Sequence, residues 1–199
     1  MNRRSLWIAL GVAMLLAAGL GWLRFTAPPP GNLAGSSLGG GFALTDQNGK
    51  SVTDKAFAGR YRLMYFGYTF CPDVCPNDVG YISRGLAAFE TARPERGLRV
   101  TPIFITVDPE RDDVAAMKAF TSAFHPRLVG LTGDPAAIAA AQKAYGIYAR
   151  KVATSDPENY LVDHFAVIYL FGPDGAPIAF LPHGSTADDV TAMLESYVR

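Results

Sequence analysis

The chain has 199 residues, 49% of them hydrophobic and 18% charged, with 18 basic and 18 acidic side chains and a formal net charge of zero. That balance excludes the basic footprint of a nucleic-acid-binding protein. The length left after the N-terminal segment suits one globular domain with a sizeable core, and no internal repeat divides it.

In chain order, residues 1–4 are basic, and residues 6–23 run without a charge up to Arg24. This is near the lower limit for a single transmembrane helix. Arg3 and Arg4 in front of it predict a cytoplasmic N-terminus with the remainder translocated. The expectation is an uncleaved anchor over 1–26 in the cell inner membrane, with the soluble domain facing the periplasm. A cleaved signal peptide is the rival reading, and the length of the apolar run weighs against it. Residues 27–41, with three prolines followed by a Gly/Ser-rich stretch, predict a flexible linker. The domain is then 42–199.

Within it, 42–52 reads as a hairpin turning at Asn48-Gly49. Residues 61–68 read as a strand, and 76–93 as a helix with Val79, Ile82, Leu86 and Phe89 on one side. An apolar strand follows over 100–107, as expected of a sheet centre. Further elements are a helix over 112–124, a strand over 128–131, and a helix over 134–145 capped by Asp134 and ended by Gly146. Residues 148–152 read as a strand. Strands over 166–171 and 177–181 are joined by the turn Gly172-Pro173-Asp174-Gly175, and a closing helix spans 186–198. Strand–helix–strand first and hairpin–helix last is an α/β order. A cysteine loop between strand and helix makes it a thioredoxin-like one, here with an N-terminal hairpin extension and a preceding transmembrane helix.

That loop is Phe70-Cys71-Pro72-Asp73-Val74-Cys75-Pro76, and it holds both cysteines of the chain. Two thiols so close can form a disulfide, exchange disulfides with a partner, or hold a soft metal. A proline after each cysteine argues against helical backbone at both. Cys75 is expected at the helix N-cap, where the dipole favours a thiolate. The Cys-x-x-x-Cys spacing is one residue longer than a thioredoxin-type redox pair, and it suits two sulfurs converging on one metal with an imidazole as third ligand.

Of the three histidines, His125 follows a helix and reads as a surface or dipole residue. His183 lies in a loop after the last strand and reads as exposed. His164, in Val162-Asp163-His164-Phe165, lies in a loop before a strand, where a thioredoxin-like fold brings it beside the cysteines. Asp163 reads as a strand-start carboxylate that also has the position to orient His164. Asp78 is accounted for by the helix dipole, while Asp73 is an exposed loop carboxylate available to a partner. Asp108-Pro109-Glu110-Arg111-Asp112 reads as a strand end with Asp112 capping the next helix. Residues 156–159 read as a polar turn, and its mobility is the expected means by which His164 moves as a metal arrives or leaves.

These motifs resemble the SCO/SenC family of membrane-anchored copper proteins. The resemblance is carried by Gly40-Gly41-Phe42-Ala43-Leu44-Thr45-Asp46, by Phe66-Gly67-Tyr68-Thr69 running into the cysteine motif, by Phe104 through Asp112, and by Val162-Asp163-His164. It covers about 39–199. It implies a copper ion bound by Cys71, Cys75 and His164. It also implies delivery of that copper to the dinuclear centre of cytochrome c oxidase during assembly. The alternative is a thiol-disulfide oxidoreductase in which Cys71 and Cys75 reduce that centre's cysteines. A thiol peroxidase ranks third, since nothing marks a peroxide pocket. The implied partners are a copper donor protein, a copper-receiving oxidase subunit, a thiol reductant and the membrane. Phe165 departs from the small hydroxyl residue many members carry there.

Overall fold

The computed structural model describes residue 7 and residues 11–15, 31–152 and 159–199. In chain order the elements are β1 (Gly31–Asn32), β2 (Ala43–Asp46), β3 (Ser51–Thr53), a 3-10 turn (Asp54–Phe57) and β4 (Tyr61–Gly67). Then follow α1 (Val74–Ala92), α2 (Pro94–Gly97), β5 (Val100–Thr106), α3 (Val114–Thr121), β6 (Val129–Thr132) and α4 (Pro135–Ala144). The chain closes with β7 (Ala149–Val152), β8 (Leu161–His164), β9 (Val167–Phe171), β10 (Pro177–Pro182) and α5 (Ala187–Tyr197).

Eight strands form one mixed sheet in the order β1-β10-β9-β4-β5-β6-β2-β3. Every residue of β4 and β5 is buried, as largely apolar strands at a sheet centre should be. The two run parallel, in register from Tyr61↔Val100 to Gly67↔Thr106. On the other side of β4, β9 is antiparallel, and β10 returns along β9. The β9–β10 turn places Gly175 at φ +86°, where only glycine is unstrained. α1 packs against α5, and its apolar face of Val79, Ile82, Leu86 and Phe89 is buried. The β2–β3 hairpin turns where expected: the Asp46 carboxylate accepts from the Asn48 and Lys50 N–H groups, each at 2.9 Å.

Four elements differ from the sequence reading. Gly31 and Asn32 pair with Phe180 and Ala179, and Gly39 N–H donates to the Ala144 carbonyl at 2.9 Å. The described part of the segment read as linker is therefore tied to the domain at both ends. α1 begins at Val74, so Cys75 and Pro76 lie inside its first turn. Proline is tolerated there because its missing N–H would have no helical acceptor. Asp113, not Asp112, caps α3, accepting from Ala116 N–H at 2.8 Å. Finally, residues 161–164 are not a loop but strand β8, paired with β7 in a separate two-stranded sheet.

The expected anchor over 1–26 falls mostly outside the described residues, as does most of the polar turn at 156–159. Among the described residues no helix is long and apolar enough to cross a membrane.

Candidate metal centre

β4 ends at Gly67, and the chain turns through 68–73 into α1. This bend is fastened from below by Asp112, which is fully buried. Its carboxylate accepts from the Thr69 N–H at 3.0 Å, the Thr69 hydroxyl at 2.6 Å and the Thr106 hydroxyl at 2.6 Å. The residue expected to cap α3 thus ties the cysteine loop to the end of β5. A buried carboxylate is stable only when so satisfied.

The two cysteines are unequal. Both are free thiols, Cys75 buried and Cys71 partly exposed. Gly67 makes room for the deeper sulfur: a Cβ there would lie 2.9 Å from Cys75 Sγ and 2.9 Å from the Tyr65 ring. Cys71 Sγ accepts a hydrogen bond from the Cys75 N–H at 3.3 Å. A hydrogen bond from the Cys75 side chain, with backbone N–H groups and the Tyr68 hydroxyl, lowers the Cys71 pKa to about 5 against the cost of burial. The same sulfur–sulfur hydrogen bond, then burial and the Cys71 charge, raise that of Cys75. The helix N-terminus does favour a thiolate, but its amide points at Cys71. The expectation of a Cys75 thiolate is reversed because the helix starts two residues earlier than the prolines suggested.

β8 delivers His164 to the same place. Its Nε2 lies 3.4 Å from Cys75 Sγ across 89 residues of sequence. The ring stands edge-on to Tyr65 and Tyr68, with centroids 6.3 and 6.0 Å away. Burial lowers its pKa, favouring the neutral imidazole that a metal requires. Its Nδ1 is buried and has no hydrogen-bond partner among the described residues. Cys71, His164, Tyr68, Asp73, Asp163 and His183 border one cavity of about 530 Å³.

The donor chemistry, two sulfurs and one imidazole with an unpartnered nitrogen, suits a soft or borderline ion. Among the described residues no three His, Cys, Asp or Glu side chains are already arrayed around a metal position. The donors adjoin one another without converging.

Other candidates fall differently from the sequence reading. His125 is buried, not on the surface: Nε2 faces Glu90 at 3.2 Å, and Nδ1 accepts from Arg127 N–H at 3.2 Å. Asp163 faces Arg150 across the hairpin at 3.8 Å and does not orient His164. Asp73 sits at the N-cap position of α1 but accepts from the Asn77 side chain at 2.6 Å. Asp78 lies beyond the first turn of α1, so the dipole does not account for it. It is buried and bonded to Tyr65 and to His183.

Arg111 carried no weight in the sequence. Asp108 Oδ2 holds its Nε at 2.6 Å, and its guanidinium lies 3.6 Å from the Tyr160 ring centroid and 4.9 Å from that of Phe70. Asp108 Oδ1 also accepts from the Tyr160 hydroxyl at 2.7 Å. These contacts bind the cysteine loop to the strand that brings His164. A lone arginine in a polar run gives no sign of such a cage, because its aromatic partners are distant in sequence.

A family model described as SCO1/SenC matches residues 31–199. The mitochondrial SCO2 homolog of Mus musculus is 36% identical over 198 residues, spanning 94% of this chain and 77% of that protein. The mitochondrial SCO1 homolog 1 of Arabidopsis thaliana is 38% identical over 156 residues, 78% of this chain and 46% of its own length. This chain therefore spans less than half of that relative. The solved structure of Bradyrhizobium japonicum ScoI with copper bound is 46% identical, with a TM-score of 0.72 over 81% of this chain and 99% of that one. The thioredoxin domain of a Bacteroides vulgatus thiol-disulfide oxidoreductase, 21% identical with a TM-score of 0.56 over 84% of this chain and 99% of that one, shares the fold alone. The fold is thioredoxin-like.

Proposed function

The chain belongs to the SCO1/SenC family, and on that premise we propose that it is a copper carrier for cytochrome c oxidase assembly. Copper is its cargo, held by Cys71, Cys75 and His164 and passed to the dinuclear copper centre of the oxidase. The observation that carries this reading is the 3.4 Å approach of His164 Nε2 to Cys75 Sγ. Disulfide exchange does not require an imidazole in that place, whereas two sulfurs alone hold divalent copper poorly and gain from a third donor. Two family members are described as copper-bound, from Bradyrhizobium japonicum and Arabidopsis thaliana. BsSco is described as a member of the Sco family of cytochrome c oxidase assembly proteins.

Both thiols must be reduced before loading, so a thiol reductant precedes the copper donor. Transfer proceeds by ligand exchange from the partly exposed Cys71 side of the cavity. An N-terminal anchor in the inner membrane would hold the domain on the periplasmic face near its target, raising effective concentration.

Anaerobic titration of the reduced full chain with copper tests the reading. Wild type binds one ion, and Cys71→Ser or Cys75→Ser binds none. His164→Ala loses affinity by at least about tenfold, the scale on which even outer-sphere partners of a metal site act. Wild-type affinity in His164→Ala would leave thiol–disulfide exchange as the better account.

A further inference from the structure

His183 and Asp78 form a pair that the three-donor site leaves unused. Asp78 is 1% exposed. Its carboxylate accepts from the Tyr65 hydroxyl at 3.0 Å and faces His183 Nδ1 at 3.0 and 3.1 Å through its two oxygens. The His183 side chain is 52% exposed, and it borders the same cavity as Cys71 and His164. With Nδ1 turned to the carboxylate, Nε2 is on the opposite side of the ring, where its lone pair can be donated to a metal. Asp78 stands three residues after Cys75 on α1, so the imidazole is braced on the helix that carries the deeper sulfur.

A carboxylate behind one ring nitrogen is the arrangement that fixes the tautomer of metal-binding histidines and raises their basicity. His164 has no such carboxylate behind its Nδ1 among the described residues. The two other carboxylates on the cavity have partners of their own. Asp73 accepts from Asn77, and Asp163 faces Arg150. Two sulfurs and one imidazole satisfy monovalent copper, whereas divalent copper favours a four-donor tetragonal set.

We propose that His183 is a fourth copper-binding side chain, a second imidazole that joins Cys71, Cys75 and His164 when the cargo is divalent. This rests on the copper-carrier reading and deepens it: one protein holds both oxidation states by adding or releasing one braced ring. The half-exposed position of His183 lets the added donor leave without disturbing the core.

The test loads the reduced full chain with one equivalent of Cu(II) or of Cu(I), each without oxygen. Cu(II) is read by electron paramagnetic resonance with nitrogen-resolved pulsed spectra, and both ions by competition with a chelator. Wild type shows two imidazole nitrogens on Cu(II). His183→Ala shows one, with Cu(II) affinity down by about 10–100-fold and Cu(I) affinity unchanged. Asp78→Asn keeps the side-chain shape but removes the charge, and weakens Cu(II) in the same direction. His164→Ala weakens both ions and serves as the contrast. An equal loss of Cu(I) and Cu(II) binding in His183→Ala, or no loss, overturns the assignment and leaves the carrier standing. A wild-type chain that binds neither ion removes both.

Discussion

At the scale of the residue, the two sulfurs divide the work. Cys71 lies partly exposed on the cavity wall, with the Cys75 amide at its sulfur, and Cys75 is wholly buried. A thiol must be both ionised and reachable to act as a nucleophile. A limiting pulse of iodoacetamide on the reduced, metal-free chain at neutral pH is therefore expected to modify Cys71 and spare Cys75, as read by peptide mass spectrometry. Equal labelling would show that the loop opens far enough to expose both. The cysteine motif and His164 stood out in the sequence because thiols are scarce in it and one imidazole precedes a strand. The Asp78–His183 pair did not, because its members are 105 residues apart and each has an ordinary local explanation. Asp112 was misassigned for a related reason. Two adjacent aspartates compete for one cap, and nothing local shows that Thr69 and Thr106 claim the first.

At the scale of the element, the sheet is held in shape by close helix packing on the α1 side. A Cβ added at Gly85 of α1 would come within 2.6 Å of both the Ala187 carbonyl oxygen and Val190 Cβ on α5. The Thr191 hydroxyl also donates to the Gly85 carbonyl at 3.0 Å across that contact. Gly85→Ala gains helix propensity of about 1 kcal/mol. Against it, overpacking costs about 1–3 kcal/mol, and it dominates here because one obstacle is backbone that has no rotamer to retreat into. Urea denaturation is expected to show a net loss of stability, with copper binding by the folded fraction intact. A stabilised variant would mean that α5 slides freely. The long elements were legible in the sequence, since a largely apolar run marked β5 and 3.6-residue spacing marked α1. β8 was not. Only Val162 of its four residues is buried, and it owes its extended form to pairing with β7 outside the main sheet. The start of α1 is not legible because the residue before a proline normally avoids helical backbone, and at Cys75 the first turn overrides that preference.

At the scale of the whole molecule, the proposed ligands belong to two bodies. Cys71 and Cys75 are anchored to the main sheet through α1 and the Asp112 clamp. His164 rides on a two-stranded hairpin whose Tyr148, Val152 and Leu161, with Phe165 just beyond, leave large apolar surfaces exposed. A segment with so little burial opens at low free-energy cost. Among the described residues it is held by Val162 in the core, by Arg111 with Tyr160 and Asp108, by the exposed Lys151–Glu110 pair, and by the His164 ring itself. Copper bound between the bodies would fasten the hairpin to the domain. An ion that binds only the folded state adds about 2.7 kcal/mol at a free concentration one hundred times its dissociation constant. For a domain of this size that corresponds to a rise in Tm of about 5–11 °C. Hydrogen exchange should locate the gain. Amides of β7 and β8 are expected to gain protection on Cu(I) loading by a larger factor than those of β4 and β5, which open only when the molecule unfolds. In His164→Ala the sulfurs remain on one body, so the hairpin should exchange at its metal-free rate even where some copper is retained. Protection that rises evenly over both sheets, or a hairpin that tightens without His164, would place the metal wholly on the cysteine loop.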